Sequence, residues 1–133
     1  MTRLILYTDG AARGNPGPAA MGIVLTDAKG KEIEAYGQAI GETTNNEAEY
    51  RALLWGLERA RANHADELLI RTDSELLARQ LDGTYRVRAE NLKPLFEQAQ
   101  SEIARFAHVS IHHIPRGQNR RADALANKAL EKT

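Results

Sequence analysis

The stretch NNEAEYRALLWGLERARANHADELLIRTD (45–73) decides the fold that this sequence predicts. Apolar residues recur at helical spacing over residues 45–61, and either Thr44 or Asn45 can serve as the N-cap of that helix. The short apolar segment 67–73 follows and is typical of a buried strand. Parallel strands need a crossover connection, which is usually a helix. We therefore expect strand 67–73 to lie parallel to the first strand of the chain.

The rest of the pattern predicts a sheet that is antiparallel in its early part and parallel later. Further strands are predicted at residues 3–9, 20–27, 31–40 and 108–114, and further helices at 74–81, 89–106 and 120–131. The Gly/Pro-rich segment 10–18 is predicted to be a loop that continues neither neighbouring strand. The fold class is thus α/β, with a five-stranded mixed sheet, three antiparallel strands then two parallel ones, flanked by helices on both faces. We expect residues 1–133 to form a single domain.

The composition of the chain, 42% hydrophobic and 27% charged, is that of a soluble globular protein. No apolar run approaches the roughly 20 residues that span a bilayer, so we expect neither a membrane helix nor a signal peptide. The chain has no cysteine, which excludes disulfides, thiolate metal sites and thiol nucleophiles and suits the reducing cytoplasm. We expect a cytoplasmic monomer without an obligate protein partner.

Two aspartates fall at the ends of strands that are predicted to be parallel. Asp9 closes the first strand and Asp73 closes strand 67–73. Ligands of open α/β sheets gather at the carboxyl ends of parallel strands, so the two carboxylates should converge at one edge. Alternatively, Asp9 precedes a turn at Gly10 and Asp73 precedes a helix cap at Ser74, and neither has a function beyond that.

The helix at 45–61 carries two glutamates that point in different directions. At 100° per residue, Glu49 lies on the apolar face with Ala52 and Leu53 and points toward the sheet, whereas Glu47 lies on the face expected to meet solvent. A carboxylate directed into an apolar interface needs a cation, a metal or a hydrogen-bond donor to offset its desolvation. Glu49 is therefore the candidate functional acid. Glu47 is interpreted as a solvated first-turn acid that interacts favourably with the helix dipole.

Asp123 lies in the first turn of the last predicted helix. By itself it is an ordinary N-terminal acid, but with Asp9, Glu49 and Asp73 it is a candidate fourth ligand. Four carboxylates without a cysteine or histidine cluster form an all-oxygen site, which suits Mg²⁺ or Mn²⁺ rather than zinc. Such sites can hold two ions ~4 Å apart, one activating water and the other stabilising the leaving oxygen of a phosphodiester. The hypothesis is two-metal phosphoryl chemistry.

Four blocks of the chain resemble ribonuclease H of type 1 in their order and spacing. They are YTDGAARGNPGPAAMG (7–22), TTNNEAEYRALLWGL (43–57), RTDSELLARQL (71–81) and IPRGQNRRADALANKAL (114–130). The resemblance implies the ribonuclease H-like fold and endonucleolytic cleavage of the RNA strand of RNA/DNA hybrids, leaving 5′-phosphate and 3′-hydroxyl ends. It also implies four catalytic metal ligands for two Mg²⁺ ions, with Mn²⁺ as an alternative. These ligands are Asp9, Glu49, Asp73 and Asp123, with Asp9 shared between the two ions.

The resemblance further implies contacts to a hybrid duplex near these acids. Asn15, Asn45 and Asn46 match the family's readers of RNA 2′-hydroxyls and minor-groove edges, because a primary amide both donates and accepts hydrogen bonds. Thr44 matches a contact to a phosphate of the DNA strand. The other expected substrate contacts are Gly10, Ser74 and Asn119. For the TTNN run and for Asn119, the alternative is simple helix capping.

The sequence departs from the family pattern in two places. The loop before the last aspartate has Arg116 where many members have a histidine. A guanidinium cannot act as a general base near neutral pH, so we expect Arg116 to hold the scissile phosphate or the leaving group. The basic helical protrusion of several bacterial members is missing, which makes this a minimal form. Arg86 and Arg88, with Tyr85 and Lys93, are expected to form a smaller phosphate-binding patch. The alternative at both places is contact with solvent alone.

Two other functions stay open on sequence grounds. One is a non-catalytic hybrid-binding module on the same fold, and the other is a different two-metal nuclease. The four acids argue against the first, and the TTNN and GNPGP blocks argue against the second. The formal net charge of zero does not exclude a nucleic-acid partner, because charge is unevenly spread. Residues 1–49 hold four Lys+Arg and seven Asp+Glu, whereas residues 108–133 hold five and two.

Overall fold

The computed structural model describes residues 1–132 and shows five strands and four helices in that range. In chain order these are β1 (Arg3–Ala12), β2 (Gly17–Asp27), β3 (Glu32–Thr43), α1 (Asn45–Ala62), β4 (Glu67–Thr72), α2 (Glu75–Leu81), α3 (Lys93–Ile103), β5 (His108–His113) and α4 (Arg120–Glu131), with one 3₁₀ turn at Arg116–Gln118. Within residues 1–132 no helix combines the length and the apolar character that a bilayer crossing requires.

The five strands form one mixed sheet in the order β3-β2-β1-β4-β5. β1 pairs antiparallel with β2, and β2 pairs antiparallel with β3. β4 lies parallel to β1 and to β5, so α1 is the crossover between the first two parallel strands. This arrangement confirms the predicted α/β class, with three antiparallel strands followed by two parallel ones.

Helices cover both faces of this sheet. Alternate residues of β1 point to opposite sides, as in any strand. Leu6 points to the face covered by α1, where it contacts the helix at Gly56. This face holds the main apolar core, to which α2 and α3 also contribute, and its fully buried members include Ile23, Leu53 and Ile70. α4 packs on the opposite face, against β1, β2 and β3.

The prediction of a loop at residues 10–18 is wrong for most of that segment. β1 continues through Gly10 to Ala12, and β2 begins at Gly17, so only residues 13–16 connect the strands. Gly10 pairs with Met21 in the β1–β2 ladder. The glycine that suggested a break is instead a site of close helix packing. Asp9 therefore lies within β1, although it directly follows the last residue of β1 that pairs with β4.

The third helix is shorter than the sequence predicted. Residues 90–92 form a turn, and α3 begins at Lys93 rather than at residue 89. Pro94 accounts for the difference, because proline fits the first turn of a helix, where its missing N–H is not needed, but disrupts a helix interior.

Gly22 permits α4 to lie directly on the sheet. A Cβ atom at this position would come within 2.2 Å of the Ala122 carbonyl oxygen and 2.9 Å of the Ala126 nitrogen. Gly22 is the residue of β2 that pairs with Asp9, and directly opposed residues share a face of the sheet. The missing side chain therefore brings the backbone of α4 close to Asp9.

Replacing Gly22 by alanine tests this close approach. Because helix backbone rather than a flexible side chain opposes the new methyl group, we expect Gly22→Ala to lower the free energy of unfolding by about 2–3 kcal/mol in urea titrations. Gly117→Ala is the matched control, since its nearest neighbour would be the Arg120 side chain at 4.0 Å. Equal stability of the two variants would contradict the assigned role of Gly22.

Candidate active site

Three carboxylates from three different elements converge beside the end of the parallel pairing. Each of Asp9, Glu49 and Asp73 offers an oxygen that lies within 4.8 Å of the others. Asp9 and Asp73 directly follow Thr8 and Thr72, the last partners in the β1–β4 register. The parallel pairing predicted from the sequence thus places both aspartates at one edge.

Glu49 reaches this edge because Gly10 lets α1 approach β1 closely. A Cβ at Gly10 would lie 2.3 Å from the carbonyl carbon of Ala48 and from the nitrogen of Glu49. The Gly10 N–H donates a hydrogen bond to Glu49 Oε1 at 2.9 Å. Glu49 is only 5% exposed, so this bond orients a buried carboxylate toward Asp9.

Asp123 approaches the same edge from the opposite face of the sheet. It lies in the first turn of α4, lines the same cavity as Asp9, and is close enough to raise the pKa of Asp9. Arg116 Nη2 lies 3.6 Å from Asp123 Oδ1, and the arginine side chain is 80% exposed. The structure therefore brings together all four predicted acids and the arginine that precedes the last of them.

Burial and mutual repulsion make this cluster hard to ionise. The pKa of Asp9 is raised to about 8, first by burial and then by repulsion from Asp73 and Asp123, while Arg116 acts in the opposite direction. The pKa of Glu49 is raised well above its ordinary value, again by burial first and then by repulsion from Asp9. A cation placed among these groups would relieve both effects.

The residues present fit a hard divalent cation. Among residues 1–132, Asp9 Oδ2 is buried and has no hydrogen-bond partner. A buried polar atom without a partner is costly, and an ion would satisfy it. All donors in the cluster are carboxylate oxygens, which Mg²⁺ and Mn²⁺ prefer.

A cavity of about 750 Å³ opens onto the carboxylates. The other predicted residues that line it are Gly10, Asn45, Ser74 and Arg116. Ser74 also caps α2, because its hydroxyl accepts a hydrogen bond from the Leu77 N–H at 3.2 Å. Sequence reasoning did not single out Arg13 and Asn127, which line the same cavity.

The TTNN run forms the start of α1. Thr44 is the N-cap, and its hydroxyl accepts a hydrogen bond from the Glu47 N–H at 3.2 Å. Asn15 comes from the β1–β2 connection, and its Oδ1 accepts a hydrogen bond from the Asn45 N–H at 2.9 Å. Asn15, Asn45 and Asn46 are all exposed. The capping alternative therefore holds for Thr44, while the three asparagines stay accessible.

Asn119 does not fit its predicted substrate contact. It is 1% exposed, and its Nδ2 donates a hydrogen bond to the Thr8 carbonyl oxygen at 2.9 Å. Its side chain makes no capping hydrogen bond, although the residue occupies the N-cap position of α4. Asn119 instead ties the start of α4 to the residue before Asp9, so it positions Asp123.

The basic segment lies outside this cavity. Tyr85, Arg86 and Lys93 line a separate depression of about 570 Å³ between α2 and α3, together with Phe96 and Glu97. Arg88 is exposed but does not line it. The structure thus groups Arg86 with Tyr85 and Lys93, as the predicted patch requires, and leaves Arg88 apart.

Glu47 differs from the solvated acid that the helical spacing suggested. It is half-buried and accepts hydrogen bonds from the Thr43 hydroxyl and from Asn91 Nδ2. The Thr43 hydrogen bond, followed by that from Asn91, lowers the pKa of Glu47. The Thr44-x-x-Glu47 spacing of a capping box is the sequence signal that could have identified a bonded glutamate here.

Comparisons with known proteins agree with this geometry. The family described as "Reverse transcriptase-like" matches residues 7–129. Ribonuclease HI of Halobacterium salinarum is 44% identical over 97% of this chain and 65% of its own length. The crystal structure of RNase H1 from that archaeon superposes with a TM-score of 0.96, covering 98% of this chain and 99% of the solved one.

Two further relatives extend the comparison. LC11-RNase H1, solved in complex with an RNA/DNA hybrid, is 44% identical, with a TM-score of 0.91 and 97% of each chain covered. The bifunctional protein Rv2228c of Mycobacterium tuberculosis is 39% identical over 97% of this chain. This chain spans only 36% of the length of Rv2228c, so that relative contains a large region without a counterpart here.

The raised pKa values predict an unusual pH dependence in metal-free protein. Between pH 4 and 8 the folded protein holds a proton on Asp9 that the unfolded chain has released, and the raised pKa of Glu49 acts in the same direction. The contribution of Asp9 to stability is present at pH 4 and is lost as the pH rises through about 8, its folded-state pKa. We therefore compare the free energy of unfolding of Asp9→Asn with that of wild type at each pH. The difference, variant minus wild type, should be about 2–4 kcal/mol larger at pH 8 than at pH 4.

Urea unfolding in EDTA at both pH values provides this comparison. A stability difference between Asp9→Asn and wild type that is the same at both pH values would contradict the assignment of the raised pKa to Asp9.

Proposed function

The chain belongs to the ribonuclease H family, and from that premise we propose that it is an endoribonuclease that hydrolyses the RNA strand of RNA/DNA hybrids. The products carry 5′-phosphate and 3′-hydroxyl ends. The observation that carries this proposal is the convergence of Asp9, Glu49 and Asp73 within 4.8 Å, with Asp123 beside them. A relative of similar size and fold, LC11-RNase H1, has been solved with a hybrid duplex.

The four carboxylates would hold divalent cations, and we propose two Mg²⁺ ions, with Mn²⁺ as the alternative. When bound, these ions supply an activated water and stabilise the departing 3′-oxygen. The chain orients its own ligands for this task. Gly10 N–H fixes one oxygen of Glu49, and Asn119 fixes the start of the helix that carries Asp123.

Recognition of the RNA strand is assigned to the exposed amides at the start of α1. Asn15, Asn45 and Asn46 can both donate to and accept from a ribose 2′-hydroxyl, a group that DNA lacks. The Asn45 main-chain N–H donates to Asn15 Oδ1, and this hydrogen bond joins the two residues into one surface. Thr44 would contact a phosphate of the DNA strand, and Gly10 and Ser74 are proposed as further substrate contacts.

Arg116 is proposed to hold the scissile phosphate or the leaving group. Its guanidinium is within ion-pair distance of Asp123 and lines the mouth of the cavity. It is also 80% exposed, so a phosphate entering the cavity can contact it directly. Arg86 and Arg88, on the separate basic segment, would contact phosphates farther along the duplex, with a strong dependence on salt.

A non-catalytic binding module explains the cluster less well. Buried carboxylates that repel one another raise the free energy of the folded state, and a binding surface has no need of them. The exposed asparagines favour hybrid cleavage over a nuclease for DNA duplexes. We further propose that the protein acts as a monomer in the cytoplasm, since its lack of cysteine suits a reducing compartment.

An end-labelled RNA/DNA hybrid incubated with Mg²⁺ tests the proposal, beside RNA/RNA and DNA/DNA duplexes. We expect internal cuts in the RNA strand of the hybrid, with 5′-phosphate ends. We expect Asp9→Asn to bind the hybrid but to lose at least about 10³-fold in kcat, because a neutral amide cannot replace the central carboxylate.

The control is a circular dichroism spectrum, which should show that the Asp9→Asn variant is folded. Hybrid binding without any cleavage by wild type would support the binding module instead. Cuts confined to chain ends or to DNA would support another nuclease.

A further inference from the structure

Glu47 joins parts of the molecule that lie far apart in the sequence. Its Oε2 accepts a hydrogen bond from the Thr43 hydroxyl at the end of β3. Its Oε1 accepts one from Asn91 Nδ2 at 3.0 Å, across 44 residues of chain. Its main-chain N–H donates to the Thr44 hydroxyl. One side chain thus connects residues 43–46, here called the recognition turn, with residues 82–92, here called the basic loop.

The recognition turn is held from two sides. Asn15 Oδ1 accepts from the Asn45 N–H on one side, and Glu47 bonds to Thr43 and Thr44 on the other. The turn carries the exposed amides of Asn45 and Asn46. A shift of the turn would therefore move the groups proposed to contact the RNA strand.

Among the described residues, the basic loop makes one side-chain hydrogen bond to α1, from Asn91 to Glu47. At its other end the loop is bonded to α2, where the Tyr85 N–H donates to the Arg79 carbonyl oxygen at 3.0 Å. Arg86 and Arg88 lie between these two attachments and are exposed. Loss of the Asn91 contact would remove the hydrogen bond between this loop and α1, so that the bond to α2 and the buried Leu92 would hold the arginines.

We infer that Glu47 is a positioning residue for hybrid binding: it fixes the spacing between the recognition turn and the basic loop, so both duplex contacts form together. This inference rests on the proposed function. It assigns Glu47 to substrate binding and not to the chemical step, because Glu47 does not line the cavity of the four carboxylates.

Steady-state kinetics on an RNA/DNA hybrid separate this role from simple helix capping. We expect Glu47→Ala to raise KM about tenfold, as loss of hydrogen bonds to a charged group implies, with kcat within about twofold of wild type. Glu47→Gln can keep one acceptor oxygen and supply a donor, so it should restore KM to near the wild-type value. The matched control is Glu58→Ala, an exposed acid three turns along α1.

A double-mutant cycle with Asn91→Ala tests the connection to the basic loop. If the two residues act through one contact, Asn91→Ala should raise KM in wild type but not in the Glu47→Ala background. Lower stability of Glu47→Ala with unchanged KM would overturn the inference and leave a capping role. Additive effects on KM would overturn the connection between the two segments.

Two separate measurements test the proposed function and the role of Glu47: hybrid cleavage by wild type, and amide hydrogen exchange in Glu47→Ala. If wild type cleaves no hybrid, the proposed function is wrong, and amide hydrogen exchange then decides the positioning role. We expect severalfold faster exchange at the Asn45 and Leu92 amides in Glu47→Ala than in wild type, since each amide lies in one of the joined segments. Unchanged exchange at both amides would overturn the inference.

Discussion

The crowding of buried carboxylates at the edge of the sheet governs how the surrounding strands and helices must be placed. Asp9 and Glu49 are each 5% exposed and lie next to Asp73, so the cluster opposes its own ionisation. Such an arrangement persists only where the surrounding structure holds it. Here the parallel β1–β4 pairing fixes the two aspartates, and two missing side chains, at Gly10 and Gly22, admit the helices on either face.

Comparison with an ordinary ion pair shows what is particular to this cluster. Glu34 on β3 accepts two hydrogen bonds from Arg59 on α1, at 2.6 and 2.9 Å. That contact lowers the pKa of Glu34 to about 2, whereas the pKa of Asp9 is raised to about 8. The cationic partner of Glu34 is Arg59 of the same protein, and this ion pair stabilises the fold. Among residues 1–132 Asp9 forms no ion pair, and the effect of Arg116 on its pKa is smaller than that of burial, as expected of a carboxylate that binds a cation from solution.

Much of the fold and of the candidate site could be predicted from the sequence, because the relevant residue patterns are local or periodic. Helical spacing alone separated Glu49 from Glu47, and the β-α-β order alone brought Asp9 beside Asp73. The errors arose where one residue type has two physical uses. The Gly/Pro spacing predicts a strand break at Gly10, but this glycine serves helix packing. The family pattern predicts a substrate contact at Asn119, but its side chain bonds to a main-chain carbonyl. The Glu47–Asn91 hydrogen bond spans 44 residues, and no local pattern indicates it.

Four carboxylates, from β1, α1, α4 and the end of β4, are expected to form one cation site. Anomalous diffraction from crystals soaked in Mn²⁺ tests it most directly, because the scattering locates the metal independently of activity. We expect the strongest anomalous peak among Asp9, Glu49 and Asp73, and its loss in Asp9→Asn crystals. Manganese bound only at exposed surface acids, with no peak among these three carboxylates, would contradict it.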